Sequence, residues 1–463
     1  MNKVKSGLLT LLFSSAILQS FAGGILTNTN QSAHFIRMVA RDASLEIDAA
    51  YTNPAGLGVK LEDGFHFAFT NQSAFQTRTI TSTYPLFAGF GGNDTKVYKG
   101  KASAPIIPSL QAAYKTGKWV LSGNLAVSGG GGKATFNDGL PSFESQLSAI
   151  PALLSSMQVP TSQYSVDTYM RGSSFIYGAQ LGGSYAINDM FSVYAGFRLN
   201  IVNNGYEGYL KNVKINPKHP LLNPNGDMMS AEGFFNAAGM TDYANMVADR
   251  EIDNSQSGWG VNPILGLNFN YKNLNIGMKY EFKTSLDIES KTVDGKDGGL
   301  EQFKHGVNTP HDIPALFTVG ASYQITPNLL ASVGYHHFFD SDAKMADDKQ
   351  KHINGGTNEY LFGLEYQIDR IFLVSAGGQI TRYGVTDAYQ KDLSFSINSY
   401  SIGFGGAAKV APKVRINVGY FWTTYSDWTK DVNPYVSMVP AMAGKDVFSR
   451  TNKVFAAGVD FSF

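Results

Sequence analysis

The sequence has no cysteine among its 463 residues. Disulfides, zinc thiolates and thiol catalysis are therefore excluded. Charge is scarce, with Asp, Glu, Lys and Arg at 16% of the chain, against about 25% in ordinary globular domains. Neither sign prevails: 37 basic residues face 37 acidic ones, and the pI is near 7.1. No nucleic-acid partner is expected, since that calls for a basic face. Mean hydropathy is −0.13, too low for a bundle of transmembrane helices. There is no repeat of propeller-blade length. Catalytic and metal-binding patterns are lacking too. His336 and His337 are adjacent in a strand pattern and point to opposite faces. His305, His311 and Asp312 match no zinc or triad spacing. The glycines of "GFGG" at 403–406 sit inside a strand pattern, not at a helix start. No constellation supports a barrel lipase. The chain is expected not to be an enzyme and to need no cofactor.

What is present is period two. Aromatics reach 13% of the chain, and there are 49 glycines. In "VFAAGVDFSF", Phe455, Ala457, Val459, Phe461 and Phe463 alternate with small or polar residues. Leu274, Ile276, Met278, Tyr280 and Phe282 alternate with Asn275, Gly277, Lys279 and Glu281, and Tyr360 to Asp369 repeats the pattern. A strand sends such neighbours to opposite faces. The pattern predicts strands at 63–80, 102–115, 118–136, 166–187, 190–212, 252–271, 274–292, 312–326, 329–344, 354–368, 371–388, 393–410, 413–428 and 448–463. Tight turns alternate strictly with long connections at 81–101, 137–165, 213–251, 293–311, 345–353, 389–392 and 429–447. Antiparallel strands then put every tight turn at one end and every long loop at the other. One strand face is oily and the other carries Lys279, Glu281, Glu365, Arg415 and Asp460. A sandwich would expose one face of each sheet to water. A closed barrel in lipid uses both faces, with turns in the periplasm and loops outside. Tyr114, Trp119, Tyr271, Tyr366 and Trp428 suit the interfacial belts. The expected fold is an all-β, 14-stranded antiparallel transmembrane barrel in a bacterial outer membrane.

Residues 1–22 read as a signal peptide, with Lys3 and Lys5 before a short apolar run and Ala22 at the cut. Residues 23–61 show no alternation, and Phe35, Ile36, Met38, Val39 and Ile47 are too apolar for a dangling tail. They are expected to fold into the lumen as a hatch, or plug; the barrel occupies 62–463. The stretch "DASLEIDAAYTNPAGL" resembles the N-terminal signature of the FadL/TodX-type family of outer-membrane transporters for hydrophobic compounds. That resemblance implies a hatch bearing an Asn-Pro-Ala motif, here Asn53, Pro54 and Ala55, inside a fourteen-stranded barrel. It also implies a kinked third strand that opens the wall toward the bilayer, and a terminal Phe read by the barrel assembly machinery.

The third expected strand carries Gly129, Gly130, Gly131 and Gly132. Glycine in a strand marks a bulge or kink, or here the flexible start of the next loop. Two long connections are unusually apolar. Leu140–Val159 has Leu154 and Met157 at helical spacing, and Met228–Val247 has Met228, Met229, Phe234, Phe235 and Met240. Such residues either pack over the barrel mouth or form a capture groove for a greasy ligand. The expected function is passive transport of hydrophobic molecules such as long-chain fatty acids, with loop capture, hatch gating and lateral release into outer-membrane lipid. The alternatives are a structural or adhesive barrel and a polar porin.

Overall fold

The computed structural model describes residues 24–463; the expected signal peptide lies outside the described residues. The chain forms one closed antiparallel barrel of fourteen wall strands. They are β1 (Gly64–Thr83), β2 (Thr95–Thr116), β3 (Trp119–Phe136), β4 (Tyr164–Ala186), β5 (Phe191–Ile215) and β6 (Arg250–Tyr271). Strand β7 has two segments, Leu274–Glu281 and Asp287–Asp297, as does β8, Asn308–Pro310 and Leu316–Thr326. There follow β9 (Leu329–Phe338), β10 (Thr357–Gln367), β11 (Phe372–Arg382) and β12 (Ser399–Ala411). Strand β13 joins Val414–Tyr425 to Trp428–Val432, and β14 is Gly444–Ser462. The last strand pairs with the first from His66↔Ser462 to Thr83↔Lys445. No edge is left free.

Parity explains the wall. Phe69, Leu265, Phe362, Phe404 and Phe455 face outward and stay about half exposed. The alternate residues Gln72, Gln111, Asn124, Gln180 and Asn268 face inward and are buried. An apolar outer band around a polar interior is the signature of a barrel set in lipid. Tight turns and long loops segregate to opposite ends as expected. Three local expectations fail. The strand expected at 329–344 ends at Phe338, and the loop after it spans 339–356. The connection expected at 389–392 spans 383–398, because Tyr389, Leu393, Phe395 and Ile397 are buried in apolar clusters at the mouth and do not extend the wall. Trp428 is not a belt residue. Its strand segment continues above the band, where its indole donates to Asp387 Oδ1 at 2.8 Å and packs on loop residues.

Residues 24–61 fill the lumen as a plug of short helices, α1 (Ala33–Arg37), α2 (Ala49–Thr52) and α3 (Leu57–Lys60), joined by irregular chain. Irregular backbone must find partners for its carbonyls. The wall supplies them. Gln72 donates to Asn30 O (2.6 Å), Gln180 to Ala50 O (3.0 Å), Asn275 to Ala43 O (3.0 Å) and Lys279 to Tyr51 O (2.8 Å). Charge pairs add to the seat: His34 with Asp460 at 3.0 Å, His336 with Asp42 at 2.8 Å, and Arg37 with Glu365. The plug also lies directly on the wall backbone. A Cβ on Gly277 would stand 2.2 Å from Asp42 O, and one on Gly419 would stand 2.8 Å from Arg37 N. Inward glycines at 277, 320, 334, 363, 377, 403 and 419 line this contact, one on each of seven neighbouring strands.

Candidate functional site

Above the plug, the loops close the mouth with four short helices, α4 (Pro141–Ser148), α5 (Ile150–Ser156), α6 (Ala231–Ala237) and α7 (Thr241–Val247). Their apolar faces meet inward wall residues, among them Ile80, Phe136, Ile252 and Phe448, in one buried cluster. Leu154, Phe234 and Phe235 are core members of it, at 1%, 1% and 0% exposure. Phe234 meets Phe235 edge-on at 5.8 Å, and Phe235 stacks on Tyr243 at 5.5 Å. Met229 and Met240 are half-buried against the same cluster, while Met228 and Met157 are 40% and 44% exposed at the surface. The expected ligand residues thus fall into a packed floor and a methionine rim. An ionic bracket fixes α4 to the wall. Buried Glu144 accepts from Tyr98 (2.6 Å) and Tyr164 (2.7 Å) and pairs with Lys96.

One rung below Ile80 and Phe448, Arg78 of β1 stands directly opposite Arg450 of β14. Both point inward, and both are buried. Two cations are therefore set just beneath the packed apolar cluster, where like charges face each other at a cost. Sequence reasoning missed this pair. Each arginine occupies an inward parity position, but only the register of the closing strands brings them together.

The glycine run proves to be a bulge inside β3, and the loop begins only after Phe136. Pairing with β4 goes from Val127↔Tyr177 to Gly132↔Ser174, so β3 holds two more residues than its partner over that stretch. Gly130 and Gly132 have φ of +92° and +71°, a region that suits glycine. A Cβ on Gly130 would lie 2.4 Å from Ser174 O. The bulge turns toward the plug: Asn28 N donates to Ser128 O (2.8 Å) and Gly130 N to Leu26 O (3.2 Å). On its other side the strand pairing is interrupted. The β2–β3 ladder runs up to Leu110↔Leu125, stops, and resumes at Ala102↔Ala134. In β2 the intervening residues 103–109 include Pro105 and Pro108, which have no N–H to leave unpaired at such an edge. Burial parity in β2 inverts across this stretch, from even positions inward above it to odd positions below.

The Asn-Pro-Ala motif lies at the plug's wall contact. Asn53 donates to Ser44 O at 3.0 Å, and its amide meets that of Asn268 at 2.7 Å. Ser184 donates to Pro54 O (2.7 Å) and Ser192 to Ala55 O (2.6 Å). Below the plug, a cavity of about 500 Å³ is lined by Arg41, Glu46, Lys60, Glu365 and Arg415. Burial there costs Glu46 its charge in isolation, but Arg415, Arg41 and Arg37 hold its carboxyl well below the usual range.

No family model and no curated protein sequence matches the chain. Solved structures do. A Pseudomonas aeruginosa FadL homologue aligns over 95% of this chain and 100% of its own, at 14% identity and a TM-score of 0.66. The toluene transporter TodX of P. putida aligns over 90% and 94%, at 15% identity and a TM-score of 0.51. The Ralstonia pickettii toluene transporter TbuX gives 90% and 93%, at 14% identity and 0.50. At such identities the likeness is one of architecture, and the exposed apolar band independently sets the barrel in an outer membrane. The chain has the fold of the FadL and TodX channels, a fourteen-stranded barrel closed around an N-terminal plug.

Proposed function

We propose that the protein is a passive outer-membrane channel for hydrophobic molecules, long-chain carboxylates such as fatty acids among them. The observation that carries this reading is the interrupted β2–β3 ladder, a weak seam in the wall where we place the sideways exit. Met228, Met157, Met229 and Met240 form an adaptable rim at which an apolar solute is first held. The apolar cluster around Leu154, Phe234 and Phe235 parts to take the tail, and Arg78 with Arg450 takes a carboxylate, as a pair of cations suits. The straight route down is unsuited to such a solute, since it ends in the charged cavity beneath the plug. The bulge at Gly129–Gly132 leads sideways into lipid, and a small shift of the plug segment that pairs with it, Leu26 to Asn28, frees the way, while Asn53, Pro54 and Ala55 keep the lower part of the plug on the wall. The solute's own preference for hydrocarbon drives the movement. The similarity to a FadL homologue and to toluene transporters supports this choice over an adhesive barrel.

The test is binding of radiolabelled oleate and of a neutral aromatic to the purified full chain. The wild type binds both. The double variant Arg78→Leu, Arg450→Leu should lose oleate affinity by about tenfold or more and keep the aromatic within about twofold. Failure of the wild type to bind either ligand, together with a large steady ion conductance in planar bilayers, would make the protein a porin.

A further inference from the structure

The outer face of the wall just above the β2–β3 interruption differs from the rest of the belt. On β9, β10 and β12 the upper rows carry Tyr335, Tyr360 and Tyr400, an ordinary aromatic girdle. Across β14, β1, β2, β3 and β4 the corresponding rows are basic and hydroxylated. Lys99 and Lys101 on β2, Lys133 on β3 and Lys453 on β14 all point outward and are exposed. The register places them together. Thr77 pairs with both Lys101 and Thr451, while Phe75 pairs with both Ser103 and Lys453. Lys101 lies opposite Thr135, one diagonal step from Lys133, and Thr135 lies opposite Arg171. Arg171 is taken by Glu207. The four lysines make no ion pair among the described residues.

Lysine here is costly. Lys453 stands between Phe75 and Trp422, at the top of the apolar band, where a lipid-facing cation is unfavourable unless its ammonium reaches a polar layer. That polar layer, at the loop end of the barrel, is the headgroup region of the outer leaflet. Neighbouring strands are about 4.8 Å apart, so Lys453, Lys101 and Lys133 span one broad headgroup. Thr77, Thr451 and Thr135 offer hydroxyls between them. Directly below, Ile106 is 75% exposed in the unpaired stretch, and Asn71 and Ser73 tie up Pro105 O from the lipid side.

We infer that Lys101, Lys133 and Lys453, with Lys99 beside them, hold the phosphorylated headgroup of an outer-leaflet glycolipid, whose acyl chains lie over the β2–β3 interruption. Charge complementarity selects the phosphates, and the hydroxyl rows select the sugar. The acyl chains of the bound lipid lie against Ile106 and the unpaired stretch of wall, so that a solute leaving sideways passes between them. The inference rests on the barrel's seat in the outer membrane and not on what passes through it.

Native mass spectrometry of the full chain in detergent tests it, with no transported solute present. Added lipids are bis-phosphorylated lipid A, the same lipid without phosphates, and phosphatidylglycerol. The wild type should retain the first at least about tenfold better than the second. The exposed triple variant Lys101→Gln, Lys133→Gln, Lys453→Gln should lose that margin. Lys291→Gln with Lys304→Gln, exposed elsewhere, should keep it. Heat-shifted gel mobility confirms that each variant is a folded barrel. Equal retention by the triple variant, or indifference to the phosphates, overturns the inference. Equal retention of phosphatidylglycerol, or capture of inorganic phosphate alone by the same lysines, overturns the glycolipid as its source. Because oleate binding is measured separately, failure here leaves the transport reading where it stands.

Discussion

At the residue scale, Asp340 shows how strongly the interior acts on a single group. It opens the loop after β9 and is fully buried, with Oδ2 accepting from Thr357 N at 2.9 Å. Burial pushes its carboxyl up to about 6, against the pull of the hydrogen bonds from Thr357 and Ile25. A folded value above the unfolded one means that the stabilising form is the protonated one. Its contribution is complete below about pH 4 and is lost as pH rises through about 6. Asp340→Asn stays neutral. Thermal unfolding in detergent between pH 4 and pH 7 should therefore fall less steeply in the variant, which gains up to about 3 kcal/mol at pH 7. Equal slopes would mean that Asp340 is ionised throughout. The sequence shows which residues alternate, and so shows that Gln72, Lys279 and Glu281 face the lumen. It cannot show which of them meet. Arg78 and Arg450 lie 372 positions apart by their numbering, and their pairing is a property of closure.

At the scale of the element, β3 was half legible. Four glycines announced an irregularity, but a kink and a loop start read alike in one dimension, since both need backbone freedom. What separates them is pairing on both sides: β4 follows the bulge, and β2 abandons it. Gly130→Val forces a side chain onto φ +92° and into Ser174 O, so β3 must shed its extra residues and straighten. Transfer of oleate into the membrane of proteoliposomes should drop about tenfold or more, while oleate binding stays within about twofold. Unchanged transfer would refute the sideways route. The loop helices were legible from their spacing, yet the sequence could not divide floor from rim. Phe234 and Met228 are six residues apart and equally apolar, but one is buried and the other exposed, because only neighbouring loops decide which is covered.

For the whole molecule, strand number and closure could be read because short turns and long loops alternate without a break. The plug's place could be read only from its composition and its resemblance, since nothing in its own pattern names the wall it touches. The glycine seat predicts that the plug is held by close backbone approach. Gly277→Ala with Gly419→Ala puts methyl groups where Asp42 O and Arg37 N now lie. Each should cost about 1–3 kcal/mol and lower the unfolding temperature. In planar bilayers the paired variant should conduct ions where the wild type is closed. A closed and equally stable variant would show that the seat is slack.

The same seat has a bearing on how the protein is made. Ala33 and Ile36, near the start of the described chain, rest on Gly458 and Gly419, and His34 reaches Asp460 across 426 positions. Contacts so distant along the chain form late and slowly. The inward Gln72, Gln180 and Lys279 of the wall gain their plug partners only once that segment is seated, so a fault near either end of the chain weakens both.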